Sequence, residues 1–199
     1  MKNMILHEKK EFTNVRELVE WAGAHHDAKI AYSYRESARG EVQKVSFRQL
    51  RDDVRALASE LLSMGCAGKH CVIVGKFSYE WAVTYYAVLS IGGVLVPLDR
   101  EWLAPDLADT AKKAGASFLF CDEDIAEKAE TIAQNTSLVE APYYLLAKNH
   151  DRNLGSLIKA GAKNLKKIRL PIRLLPSIPW RLLCWYSPRA PRARVRALC

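Results

Sequence analysis

The chain has 199 residues, 49% of them hydrophobic and 26% charged, with 10 glycines, 8 prolines and 5 cysteines. These proportions suit a globular domain with its own core and exclude collagen-like, disulfide-rich, coiled-coil and disordered classes. The formal charge of +8 is uneven: residues 1–164 carry 21 basic against 22 acidic side chains, whereas residues 165–199 carry 9 basic and no acidic ones, so a balanced head precedes a wholly basic tail.

Phe12, Val15, Leu18, Val19 and Ala22 recur at helical spacing, and Thr13 or Asn14 is placed to cap the helix they predict. Residues 29–35 (KIAYSYR) and 42–45 read as two strands joined around Arg39-Gly40, a hairpin. Ser46 and Gln49 then form a capping-box pattern, in which each side chain can satisfy an orphan backbone N–H of the other. The helix they open carries Phe47, Leu50, Val54, Leu57, Leu61 and Leu62 on one face, and Gly65 stops it where a left-handed residue is wanted.

From there the pattern is strand, helix, strand. Residues 71–75 (CVIVG) form a short β-branched run, Ser78 caps a helix reaching about Ile91, and residues 94–96 are the next strand. Pro105 suits the first turn of a helix ending near Gly115, residues 117–121 (SFLFC) are a strand, and residues 123–134 a further helix. This alternation predicts an α/β fold: βαβ units with a parallel sheet covered by helices.

Residues 81–98 run eighteen positions without a charge, near the length of a membrane span. Gly92-Gly93 breaks the run and Pro97 ends it, so a buried helix, a glycine turn and a buried strand are expected instead. No secretory leader is expected from the N-terminus. Cys66, Cys71, Cys121, Cys184 and Cys199 match no zinc spacing and are expected as free thiols in a reducing cytoplasm.

The head shows little chemistry. Gly68-Lys69 and Gly75-Lys76 lack the preceding glycine and following hydroxyl of a phosphate cradle, and no G-x-G-x-x-G follows a strand. His25 and His26 are adjacent, diverge by about 100° on a helix and are expected as surface residues at a helix end, not metal ligands. Asp122, Glu123 and Asp124 are expected as a solvated helix cap. No catalytic, cofactor-binding or metal residue is assigned.

Residues 45–102 carry, in order, an S-F-x-x-L helix opening, the Gly65 break, a C-V-I-V-G strand, Ser78-Tyr79-Glu80-Trp81 and a G-G-V-x-V-P-L-D return. This stretch resembles the N-terminal part of adenylate-forming enzymes, the AMP-dependent synthetases and ligases, and among them bacterial long-chain fatty-acid–CoA ligases most. The resemblance covers about residues 12–164. It implies activation of a carboxylic acid with Mg-ATP to an acyl-adenylate, then transfer to coenzyme A. The family's phosphate loop, T-S-G-T-T-G-x-x-K-G, is absent from these 199 residues, so ATP, Mg and coenzyme A are expected not to be bound productively. Without the downstream part of the family's sheet, the apolar faces around residues 72–74 and 94–96 are expected to be partly uncovered, and self-association to follow.

The tail holds five of the eight prolines and seven arginines and lacks Asp, Glu, Gly, Thr, His, Phe and Met. It lacks the pattern of a packed core and is expected to be disordered. Its codon junctions, read one base out of frame, force Leu at Cys184-Trp185 and Val at Trp185-Tyr186 and permit Thr-Ser-Gly-Thr-Thr-Gly from Ser187 onward. Residues 1–164 are therefore read as the N-terminal part of an AMP-binding domain and 165–199 as a frame-shifted tail. The alternatives are a natural basic extension that binds RNA or anionic lipid through arginines, Trp180, Trp185 and Tyr186, and an α/β interaction protein using the head alone. On the leading reading no nucleic-acid partner is expected. Sequencing the gene across codons 160–199 should find the shifted frame spelling the phosphate loop; codons that spell anything else there refute the frameshift.

Overall fold

The computed structural model describes residues 10–35, 39–138, 142–145 and 152–167. The readings made for the tail beyond residue 167 lie outside them. Helix α1 (Val15–His25) starts where the Asn14 side chain accepts the Glu17 N–H, as the capping residues predict. Its buried contacts are Val19 and Gly23, whereas Leu18 points outward, 40% exposed, contrary to its place in the apolar pattern. Gly23 lies against Arg51, where any Cβ would come within 2.6 Å of the Arg51 Cβ. Strands β1 (Ile30–Arg35) and β2 (Val42–Ser46) pair antiparallel as the expected hairpin.

Helix α2 (Phe47–Ser63) buries Leu50, Val54, Leu57 and Leu61 and ends at Gly65, whose φ is +76°. Half of the expected capping box forms: Ser46 Oγ accepts the Gln49 N–H at 3.2 Å. The reciprocal bond is replaced, because Gln49 Nε2 donates to the charged Asp53 one turn on, at 2.7 Å. Tyr79 Oη also donates to Asp53, at 2.7 Å, fixing that carboxylate in place.

Strands β3 (His70–Val74), β4 (Val94–Leu98), β5 (Ala116–Cys121) and β6 (Tyr143–Tyr144) form a second sheet in the order β4-β3-β5-β6, every neighbouring pair parallel. Helices α3 (Tyr79–Ser90), α4 (Ala104–Lys113) and α5 (Ala126–Asn135) make the connections, with a 3-10 turn over Glu123–Ile125 ahead of α5. Ser78 caps α3, Pro105 sits in the first turn of α4, and Gly92 (φ +76°) turns the chain from α3 into β4. Helix α6 (Leu154–Lys167), absent from the sequence-based elements, crosses the division drawn at residue 164.

Alternate residues of β3 point into two cores. Cys71 and Ile73 pack with α1, α2, α3 and α6, while Val72 and Val74 pack with α4 and α5. This is an α/β, three-layer arrangement, the fold class expected. The expectation of an uncovered face around residues 72–74 is corrected: Val72, Ile73 and Val74 are 0% exposed, because helices within the chain itself cover both faces. Val94 and Val96 are half-buried. The eighteen uncharged residues are accounted for by α3, the Gly92 turn and β4, and among the described residues no helix is long and apolar enough to cross a membrane.

Helix α6 lies across α2 at Gly161. A Cβ placed there would overlap the Ala56 carbonyl oxygen and approach Glu60 N to 3.2 Å, so only glycine permits this crossing. An unhindered helical Gly→Ala change stabilises by about 1 kcal/mol. Gly161→Ala should instead destabilise by about 1–3 kcal/mol through overpacking. Urea unfolding followed by circular dichroism reads the sign directly.

Candidate functional site

In a parallel sheet whose helices cover both faces, the loops leaving the carboxyl ends of adjacent strands converge, and ligand sites form there. Here those loops carry charges the apolar strands cannot: Gly75-Lys76 after β3, Asp99-Arg100 after β4 and residues 122–124 after β5. The Asp122 N–H continues the ladder to the Val74 carbonyl, which turns its carboxylate toward the other two loops. Asp122 Oδ2 accepts the Lys76 N–H at 2.7 Å and Arg100 Nη1 at 2.8 Å. Asp124 Oδ2 accepts Arg100 Nη2 at 2.9 Å and Lys76 Nζ at 3.1 Å. Lys128 of α5 donates to the carbonyls of Arg100 and Trp102 at 2.7 and 2.8 Å, anchoring the β4–α4 loop from behind.

The expectation of a solvated acidic cap is corrected for Asp122. Its residue is 4% exposed, it makes no side-chain capping bond, and Arg100 and the Lys76 N–H compensate its charge. Asp122 Oδ1 faces Gly75, where any Cβ would lie 2.7 Å from it. Glu123 and Asp124 remain exposed, as expected of that run. Lys76, Asp122, Glu123 and Asp124 line an open hollow of about 380 Å³. The donor set does not fit a divalent cation, since two cationic side chains hold the carboxylates, and no metal-holding cluster occurs among the described residues. Chemically the arrangement is an ion-paired clasp joining three loops.

His25 and His26 both pack against Trp21. His25 is exposed, stacks on Trp21 with ring centroids 4.7 Å apart and has Nδ1 3.0 Å from the Trp21 carbonyl. His26 is half-buried, against Trp21 and Phe47, so it is less of a surface residue than expected. A second hollow of about 420 Å³ beside them is lined by Phe12, Arg16 and Trp21, with Lys10 Nζ 5.3 Å from the Trp21 ring. Along the start of α3 an aromatic row runs from Phe77, just ahead of the helix, through Trp81 to Tyr85, with centroid spacings of 5.2 and 5.6 Å. Tyr79 behind it is pushed up from the ordinary phenol range, first by burial and then by its bond to Asp53. Tyr32 is pushed up to about 12, mainly by burial.

Sequence reasoning read residues 122–124 only as a solvated cap and Gly75-Lys76 only as an incomplete phosphate cradle, and it linked neither to Arg100. A lone basic residue directly after an apolar strand, at Lys76 and again at Arg100, is the signal that could have linked them.

Residues 19–170 match the AMP-binding enzyme family, and the chain belongs to that family. Among curated relatives, the long-chain-fatty-acid–CoA ligase FadD15 of Mycobacterium bovis is 31% identical over 121 residues, which are 59% of this chain and 20% of that protein. The human mitochondrial medium-chain acyl-CoA ligase ACSF2 is 34% identical over 77 residues, 38% of this chain and 12% of that one. The chain thus spans a fifth or less of these relatives' length. The crystal structure of a long-chain-fatty-acid-CoA ligase (FadD1) from Archaeoglobus fulgidus superposes with a TM-score of 0.65 at 15% identity, over 78% of this chain and 31% of that one. The A-PCP didomain of a carboxylic acid reductase from Segniliparus rugosus, in complex with AMP, gives 0.66 at 16%, over 85% and 28%. These likenesses establish an adenylate-forming fold.

The clasp makes two predictions. Asp122→Asn leaves Arg100 short of its buried counter-charge and should cost about 3 kcal/mol, the low end for a buried pair because Arg100 reaches solvent; chemical denaturation measures it. The Arg100 guanidinium, helped by Lys76, holds the Asp124 carboxyl below the usual carboxylate range. Its folded value is depressed, so its small stabilisation is complete above the unfolded carboxylate pKa and is lost as pH falls through the folded one. Asp124→Asn should therefore flatten the acid limb of a stability-versus-pH curve by lowering neutral and alkaline stability by that small amount, with stability below the folded pKa nearly unchanged.

Proposed function

We propose that this chain corresponds to the N-terminal portion of a fatty acid–CoA ligase, an enzyme that activates a carboxylic acid as an acyl-adenylate and passes the acyl group to coenzyme A. The observation that carries this reading is the family match over residues 19–170, joined to relatives named as acyl-CoA ligases. The sequence motifs of residues 45–102 lie within that match and agree with it. The free thiols Cys66, Cys71 and Cys121 suit a reducing cytoplasm. Exposed Phe77 and Leu103, 74% and 70% accessible, are surfaces through which the chain would self-associate.

Within the proposed ligase, the head contributes scaffold. Adenylation needs backbone amides and a lysine at the β,γ-phosphates to stabilise charge developing on pyrophosphate. In the position where the family would put that loop, this chain carries Pro188-Arg189-Ala190-Pro191-Arg192-Ala193. Prolines remove N–H donors, and the glycines that allow close backbone approach are missing. The 199-residue chain alone is therefore inactive on this reading.

The test is ATP–pyrophosphate exchange by the purified chain with fatty acids of short, medium and long chain length. No exchange above a protein-free control is expected. Exchange that copurifies with the chain and is abolished by a substitution in the head would overturn the inactivity. A gene carrying no shifted-frame phosphate loop would remove the case for descent from a complete ligase reading frame.

A further inference from the structure

Cys66 and Cys71 lie outside the clasp and have no part in the function proposed above. Their Sγ atoms are 3.2 Å apart, and both residues are 0% exposed. The chain between them is pinned at both ends. The Cys66 N–H bonds to the Leu61 carbonyl at 2.9 Å, and the Lys69 N–H returns to the Cys66 carbonyl at 3.0 Å. Gly68 supplies the left-handed turn, φ +70°, and Cys71 sits in β3 between Leu95 of β4 and Phe118 of β5. The third described cysteine, Cys121, is buried on the opposite face of the sheet, in the core of α4 and α5. The fold therefore pairs two sulfurs and isolates the third.

We propose that Cys66 and Cys71 are a dithiol modification site, oxidised to an intrachain disulfide by a small peroxide. One thiolate attacks a peroxide oxygen, the O–O bond breaks, and a sulfenic acid and hydroxide form; the hydroxide takes up the proton lost by that thiol. The second sulfur then attacks the sulfenic sulfur, the S–O bond breaks, and water leaves with the second thiol's proton. Two thiols and one hydrogen peroxide give one disulfide and two waters. The hydrogen bond to Cys66, and then burial, push the Cys71 thiol well above the usual range, so the folded pair reacts slowly, and the full burial of both residues keeps large oxidants out. The product ties the end of α2 to the start of β3.

Lys69 lies between the two cysteines, so trypsin separates them into peptides 56–69 and 70–76. The full-length chain is treated with hydrogen peroxide, its remaining thiols are alkylated, and the digest is read by mass spectrometry without reduction. The expected result is one species joining 56–69 to 70–76, two hydrogens lighter than the sum of the peptides and lost on reduction. The Cys121→Ser chain should give the same species, and the Cys71→Ser chain should leave Cys66 as sulfenic or sulfinic acid. Recovery of peptides 56–69 and 70–76 unlinked, both alkylated, while Cys121 is oxidised would overturn the proposal. So would preferential linkage of either peptide to Cys121.

Discussion

The structure depends on one strand. β3 is paired on both edges and packed on both faces, and its residues 71–74 are wholly inaccessible. Each fully buried Val or Ile contributes about 1.5–3 kcal/mol, and an ionised group in that stretch would be prohibitive. Polar chemistry is thereby expelled to the strand's two ends. At the amino end lies the thiol pair, and at the carboxyl end the charged clasp. The alternation of Cys71 and Ile73 against Val72 and Val74 is what separates the two cores and the helices that belong to each.

The clasp follows from the burial of Asp122. A carboxylate removed from water needs a countercharge and N–H donors, and Asp122 takes them from two different loops. Arg100 comes from the loop after β4 and the Lys76 N–H from the loop after β3. Three connections that are separate in sequence are thus held in one geometry. Gly75 is part of the same solution, because the Asp122 carboxylate fills the space a side chain would occupy. Lys128 then holds the middle loop by its carbonyls, which leaves the Arg100 side chain to face the acids.

Local signals in the sequence gave the elements well. Asn14, Ser46 and Ser78 each cap the helix they precede, and Gly65, Gly92 and Gly115 each take the positive φ that ends a helix. These features depend on neighbours a few residues away. What was not legible depends on distant partners. Gln49 follows the capping-box pattern yet turns to Asp53, whose position is set by Tyr79. Leu18 fits the helical stripe yet faces solvent. Asp122 reads as a surface cap until Arg100 is placed beside it. Helix α6 is capped by Asn153, whose Oδ1 accepts the Ser156 N–H at 2.8 Å, but its position depends on a glycine fitted to a backbone more than a hundred residues earlier.

That separation matters during synthesis. The Asn164 side chain reaches Glu60 across 104 positions. At about 5–20 residues per second, the ribosome leaves the Ala56–Glu60 stripe of α2 without its covering helix for roughly 5–20 s. The groove left vacant meanwhile is a shallow, small-residue seat shaped for another helix.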